Sequence, residues 1–499
     1  MASSCCSCNG ARAVCKRCFC VREGICCTSC LPSRTGKCSN IASQVDLAEV
    51  SNERPLGLLT AQHSPDAHDS SFVTGLPTDV IPPSLPFERP KKRIIRRIPR
   101  ASRELAAKKF TSLLDAVVAN NDTTSWSRLL CFAQCCLQAP IRGRRGISFA
   151  TSVNNQLRCD ALTPSSSAAS APRPRRRATK PKDPLESLAQ KVSAKIEEGN
   201  LNGAARLACS EELIADVSED TFSALQAKHP GSHPDSAIPI PSSESELSDE
   251  LMVSVPGVAY AIRSFRPGSA GGPDGLTPQH LKDMTGKPAG EGGSILLTAI
   301  TSFVAFVPWG EVLEEVHPIF FGANLVALRK KAGGVRPIAV GCTLRRLTAK
   351  YASMQVREQM GEFLQPIQLG YGVKLGAEAA VHAARRFLGS LPSDQLLLKL
   401  DFANAFNTLR RDKMLRAVEE IVPSLFPFVY SSYCSPSSLF WEDKILDSAE
   451  GVQQGDPLGP LLFCLTIHNL TTQLVSDFKI FIWMMGHSEV FVMMCCVTS

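Results

Sequence analysis

The sequence predicts an α+β protein built in several parts, and three observations carry that prediction. Ten of the 20 cysteines lie within the first 40 residues. Apolar residues recur at helical spacing over 101–140 and again over 184–229. From about 250 to 480, strand-like and helix-like runs alternate without a long polar linker. A length of 499 residues suits roughly three domains. Apolar content of 44% and charged content of 20% exclude a chain disordered throughout, and 6% aromatics is low for an all-β sandwich. Fifty-four basic against 47 acidic residues leaves +7, too mild a charge to prove a polyanionic partner by itself. No export signal and no membrane-spanning helix are expected, so the chain is expected to be intracellular and without a membrane partner.

Residues 1–40 form the cysteine module. Its spacing is Cys5-x2-Cys8-x6-Cys15-x2-Cys18-x-Cys20-x6-Cys27-x2-Cys30-x7-Cys38, with Cys6 and Cys26 beside the series. A C-x2-C pair lets two thiolates reach one ion, and tetrahedral Zn²⁺ takes sulfur at about 2.3 Å. Cysteines on a long chain with no export signal point to metal rather than disulfides. Eight ligands suffice for two four-cysteine sites; their pairing stays open. The bland reading is a cysteine-rich tail with no ion.

Residues 41–86 are polar and Pro-rich and read as a linker. Residues 87–183 form a basic, partly helical region with a low-complexity end. Its first stretch, FERPKKRIIRRIPR over 87–100, holds seven Lys or Arg. These cations suit phosphates without base specificity; a solvated linker or a nuclear import signal is the plainer reading. Two helices are expected over 101–140, broken near Asn120–Thr124. Residues 184–229 read as a helical segment and 230–249 as a second linker.

Four blocks then follow in order over 250–481. Ser269-Ala270-Gly271-Gly272-Pro273-Asp274-Gly275-Leu276 is a turn ahead of a short helix. Leu325 to Val340 reads as two strands joined at Gly333-Gly334, with Lys330 and Lys331 before the turn and Arg336 after it. Leu397-Leu398-Lys399-Leu400-Asp401 is an apolar strand ending at an aspartate, with a helix expected straight after it. Gly451-Val452-Gln453-Gln454-Gly455-Asp456-Pro457-Leu458-Gly459 is a glycine-rich turn opening an apolar helix.

The four blocks, in this order, resemble the reverse transcriptase domain of non-LTR (LINE-like) retrotransposons over about residues 250–480. Each block alone is weak. The resemblance implies a right-hand polymerase fold of fingers and palm, an RNA template and a DNA primer as partners, and two Mg²⁺ as cofactors. It also implies residue roles. Asp401 matches the metal ligand and catalytic carboxylate of the first palm motif. Phe402 matches a nucleotide-binding backbone position, and Phe406 the aromatic that screens the sugar 2′ position. Lys330 or Lys331 and Arg336 match cations that clamp the triphosphate, and Gln454-Gly455 the turn lying against template and nucleotide. In isolation Asp401 reads as a helix cap, Phe406 as core and Arg336 as surface.

The family also needs an aromatic, any residue, then Asp-Asp some thirty residues after Gln454. The chain reads Phe481-Ile482-Trp483-Met484-Met485-Gly486 there, and the nearby acid Glu489 does not fit. Trp and Met have single codons, so Trp483-Met484-Met485 is TGGATGATG. Regrouped one base earlier it contains GAT-GAT, which is Asp-Asp, and the flanking codons permit Tyr-Leu before it. Residues 482–499 are therefore expected to be read out of frame. The right-hand fold is then incomplete, with no second carboxylate strand and no thumb, and the chain is expected to be catalytically dead. The alternative is a non-catalytic, zinc-dependent nucleic-acid-binding protein using the module and the basic segments.

Overall fold

Burial of apolar faces organises the described chain around two cores. The computed structural model describes residues 93–139, 148–159, 184–197, 201–209, 214–239, 252–309, 312–330, 333–391, 396–474, 478–485 and 489–496. The cysteine module, the linker 41–86 and Lys331 lie outside them.

The larger core is helical. The sequence break near 120 is real: helix Arg103–Asn120 stops at Asn121, in the left-handed region at φ 45°. The Asp122 carboxylate then accepts from the Ser125 amide at 2.7 Å and starts helix Thr123–Leu130. Ala106, Phe110, Leu114 and Trp126 are buried in one cluster with Ile262, Phe303, Tyr351, Leu415 and Phe463. The segment 93–158, distinct in composition, thus shares its core with residues 258–467.

Part of the basic stretch is core as well. Ile95 and Ile98 are buried, the Ile98 amide donates to Asp283 at 2.9 Å, and Arg103 pairs with Asp283 at 2.8 Å. The linker reading fails at these residues because the isoleucines between the arginines find apolar partners. Arg93, Arg96, Arg97 and Arg100 stay exposed.

Helix Gly290–Trp309 corrects another expectation. It is long and apolar enough, by length and composition, to cross a membrane, with a mean hydropathy of 1.5 over its best window. Gly292 to Trp309 contains no charged residue. Its Leu296, Ile300, Phe303 and Val307 are buried, and Phe303 lies 5.7 Å from Trp126 and 6.1 Å from Phe320, as in a core helix of a globular fold.

The smaller core is a four-stranded sheet of order β2-β1-β4-β5. β1 (Ala323–Arg329) and β2 (Val335–Gly341) are antiparallel, from Ala323↔Gly341 to Arg329↔Val335. Their turn carries Gly333 and Gly334 at φ 90° and 80°, conformations open to glycine. β4 (Ser437–Trp441) runs parallel to β1 and antiparallel to β5 (Lys444–Ser448). Helix Glu219–Gln226 covers this sheet, with Phe222 stacked 5.8 Å from Trp441.

A second sheet has the order β3-β7-β6, from β3 (Leu396–Asp401), β6 (Phe478–Met485) and β7 (Glu489–Cys496). The register places Asp401 opposite Phe491, and Phe491 opposite Trp483. The helix expected straight after Asp401 starts only at Arg411. Residues 403–408 turn instead, because Asn404 is left-handed at φ 57° and its carbonyl accepts from the Asn407 and Thr408 amides.

Candidate functional site

The end of β3, the β1–β2 hairpin and the glycine-rich turn meet around one cavity of about 220 Å³. Its walls carry Lys330 and Arg336 from the hairpin, Phe402 and Phe406 from the turn after Asp401, and Gln454. Five residues chosen from sequence therefore share one space. Gly455 adjoins it through Gln454, Asp401 ends the strand leading into Phe402, and Lys331 lies outside the described residues.

Each wall is fixed by local bonding. The Gln454 carbonyl accepts from the Ala339 amide at 2.9 Å, which covers the outer edge of β2. That edge tolerates Pro337, which has no N–H to give. Gly455 has φ 139°, and a Cβ there would sit 2.3 Å from the Ala339 carbonyl oxygen. The block's glycine is thus demanded by backbone approach. The opposite wall is held by Val452, whose amide donates to the Phe406 carbonyl at 2.8 Å, and by Gly451, whose amide donates to Leu409 at 2.9 Å. Phe406 is buried with its ring 5.6 Å from Phe463, while Phe402 is 38% exposed and edge-on to Phe463 at 5.8 Å.

A buried polar network underlies the turn, and sequence reasoning missed it. Arg345 donates to Asp456 at 2.6 Å, to Gln453 at 2.8 Å and to the Tyr433 hydroxyl at 3.2 Å. Tyr433 donates to the same Asp456 oxygen at 2.5 Å. Gln453 reaches on to the Phe321 carbonyl at 2.7 Å. Burial is the strongest single influence and disfavours the Arg345 charge, but Asp456, Tyr433 and Cys342 together outweigh it, and the guanidinium is held more firmly protonated than usual. Burial likewise pushes the Tyr433 phenol well up. Asp456 stands in the glycine-rich turn, and an acid between Gly and Pro at the mouth of an apolar helix is its signal in the sequence.

Lys228 is the other omission. It lines the cavity from the segment after helix Glu219–Gln226, where no motif marks it. Its carbonyl accepts from the Asn404 side chain at 2.8 Å. Nearby, the His233 amide donates to Glu450 at 2.8 Å, so this segment is tied across both turns. Lys228, Lys330 and Arg336 give the cavity three cations, and no acidic residue is among its lining. Such a space suits a polyanion with a flat apolar part.

The Asp274 block packs at the far end of β2. A Cβ on Gly272 would come within 2.5 Å of the Gly341 backbone. Asp274 is buried, and burial pushes its carboxyl up to about 7 against the pull of Arg346.

Among the described residues, no set of carboxylates fit for a pair of Mg²⁺ converges. Such a pair needs several converging carboxylates. At the level of Asp401 the neighbouring strands offer Phe491 and Trp483. Among the described residues no three His, Cys, Asp or Glu side chains gather to hold a metal.

The geometry therefore defines a cation-lined cavity at the meeting of the hairpin, the turn after Asp401 and the glycine-rich turn. Residues 328–490 match the reverse transcriptase (RNA-dependent DNA polymerase) family. That segment resembles a reverse transcriptase domain of the retrotransposon type. The chain is 30% identical over 210 residues to the retrotransposable element SLACS 132 kDa protein of Trypanosoma brucei gambiense. The alignment covers 41% of this chain and 17% of that protein, so the chain spans well under half of its relative's length.

Proposed function

We propose that residues 250–481, with Lys228 from the preceding segment, are the nucleotide- and template-binding part of a retrotransposon polymerase, and that this chain does not extend a primer. The cavity carries the binding half of the reading. Its three cations, its aromatic floor at Phe406 and its backbone turn at Gln454 suit a nucleoside triphosphate. In this reading Lys330 and Arg336 hold the phosphates, and Lys228 adds a third positive charge. Phe406 closes the floor beside the sugar, and the incomplete right hand consists of fingers around β1–β2 and a palm around β3.

The sheet β3-β7-β6 supports the other half. Positions 484 and 485 stand at the end of β6, one and two residues beyond the level of Asp401. The Asp-Asp of the alternative reading frame falls across the codons of Trp483–Met485. This register supports the reading that the carboxylates belong at that end of β6. In the family Mg²⁺ supplies charge stabilisation at the reacting phosphate; without a second carboxylate strand Asp401 does not gather two ions.

The deciding experiment pairs nucleotide binding with primer extension. A fluorescent deoxynucleoside triphosphate should bind the chain, and Arg336→Ala should weaken binding by about tenfold or more. An RNA-templated primer should stay unextended in Mg²⁺. Extension by this chain refutes the inactivity, and binding indifferent to Arg336 refutes the pocket. Sequencing the gene and transcript through codons 475–499 separates a genomic shift from an error in reading. The cysteine spacing favours a second reading, a zinc-dependent nucleic-acid module over 1–40, tested by zinc stoichiometry of the purified protein.

A further inference from the structure

The cavity carries positive charge and no acid of its own. Lys228 and Arg336 are half-buried, Lys330 is exposed, and all three line it. The polar side chains beside them, Asn404, Asn407 and Gln454, are neutral amides. The acids near these residues in the chain are committed elsewhere. Asp456, two residues past Gln454, accepts from Arg345, Tyr433 and the Leu458 amide. Glu450 accepts from the His233 and Arg411 amides at 2.8 and 2.7 Å. Asp412 accepts twice from Arg410 at 2.9 Å. Asp401, one residue before Phe402, is the single acid of the strand that leads into the cavity.

A triphosphate has to be neutralised by something. At about pH 8 its terminal phosphate carries two negative charges and each inner phosphate one more, roughly four in all. Bound Mg²⁺ cancels two of them and needs further oxygen ligands, from carboxylates or water, to complete its shell. Three cations around the phosphates supply the same neutralisation without an ion. A Mg²⁺ carried in on the phosphates would be repelled by those cations, and one carboxylate would be there to ligate it. The two modes of neutralisation therefore compete for the same phosphate oxygens.

We propose that the cavity takes a nucleoside triphosphate in its metal-free form, and that Mg²⁺ opposes this binding instead of supporting it. The inference rests on the nucleotide reading of the pocket and reverses the metal dependence that the family resemblance implies. Lys228 is central to it. This cation comes from outside the matched segment 328–490. The Asn404 side chain fixes its backbone by donating to the Lys228 carbonyl at 2.8 Å. The chain beyond it is tied down by the His233 amide on Glu450 and by Arg410, which donates to the Asp235 carbonyl at 3.1 Å. The third positive charge is thus held at the cavity by bonds that involve no metal ligand. Binding makes and breaks no covalent bond, so failure of primer extension leaves the proposal standing.

The test is titration of the full chain with the fluorescent deoxynucleoside triphosphate at about pH 8, in metal-stripped buffer and again in excess Mg²⁺ at matched ionic strength. Affinity without metal should exceed that in Mg²⁺ by about tenfold or more. Lys228→Gln should weaken binding about fivefold without metal and about twofold in Mg²⁺, because the phosphates then carry half the charge. Lys330→Gln, at an exposed hairpin position, should do the same and guards against a folding defect in the first variant. Arg385→Gln, on an exposed face elsewhere, should leave both affinities unchanged. Equal affinity in the two buffers, or tighter binding in Mg²⁺, overturns the proposal and leaves the nucleotide reading intact. A ratio that neither lysine variant narrows also overturns it. Absence of binding in both buffers overturns the nucleotide reading itself, and this proposal with it.

Discussion

Replacing Asp456 by Asn tests whether the buried network positions the pocket. Both partners of the Arg345–Asp456 pair are 1% exposed, with the contact at 2.6 Å. Asn keeps the shape, and its carbonyl oxygen still serves the Leu458 amide, which donates to Asp456 Oδ1 at 2.9 Å. The other oxygen becomes an amide nitrogen facing two donors, Arg345 and the Tyr433 hydroxyl. Arg345 is then a buried cation without a counter-charge, a change that costs about 3–5 kcal/mol. Tyr433→Phe removes the hydroxyl that donates to Asp456 and accepts from Arg345 and the Gln453 amide, and the bond to the charged acceptor alone should cost about 1.5–3 kcal/mol. Arg345→Met/Asp456→Leu removes both charges and should be nearly neutral, because the desolvation of both ions is lifted together. Urea unfolding followed by tryptophan fluorescence reads these differences as midpoint shifts at constant slope. Asp456→Asn should also weaken nucleotide binding, since the Gln454 carbonyl lies between Gln453 and Gly455 against Ala339. A loss below about 1 kcal/mol in Asp456→Asn, or a double variant as unstable as the sum of its singles, refutes the reasoning.

Three further outcomes follow from named contacts. Gly455→Ala puts a methyl 2.3 Å from the Ala339 oxygen and should lose about 2–4 kcal/mol, with nucleotide affinity falling in parallel by titration. His317 is held down to about 4, by burial first, against an ordinary 6.5. The unfolded chain therefore takes up its proton before the folded one, so stability falls as pH drops from 6.5 to 4, by roughly 3 kcal/mol at most. Asp274 acts oppositely in that window, since its carboxyl is raised to about 7 and protonates first in the folded chain; comparing His317→Gln with its parent by unfolding at each pH cancels that contribution, and the variant should lack the acid-side loss. Met484→Asp/Met485→Asp supplies two acids at the end of β6 and should bind Mn²⁺ at least tenfold tighter than the parent, by electron paramagnetic resonance titration; equal binding rejects the placement of the missing motif.

What was legible in the sequence was whatever had a local cause. The Gly333-Gly334 turn, the break at Asn121-Asp122 and the helix after Gly459 follow from residues within a few positions of each other. Lys330, Arg336, Phe402, Phe406 and Gln454 were found because each stands in a block read as a unit, and the cavity brings them together. Contacts across long chain separations were not legible. Arg345 and Asp456 are 111 residues apart, and Asn404 and Lys228 176 apart. Nothing near Lys228 marks it, because its role comes from where helix Glu219–Gln226 sets the chain down. Ile95 and Ile98 were misjudged for a related reason: charge dominates a composition window, while three isoleucines decide where the backbone goes.

In the proposed reading the two halves of a polymerase site have separate origins in this chain, so one can persist without the other. The cations of the pocket come from residues 228–336, and the turn beneath them is fixed by Phe406, Gln453 and Asp456. None of these bonds involves residues 478–496. The acids of a two-ion site have to come from β3 and from the hairpin of β6 and β7, where Asp401 alone is acidic at the shared level. In this frame the hairpin of β6 and β7 is rich in Phe, Ile, Val and Met. Such residues favour a buried strand, and β6 reads FKIFIWMM. Pairing of the hairpin with β3 is thus accounted for in this frame. The side chains at its tip are what change in the other frame, so metal affinity separates the two.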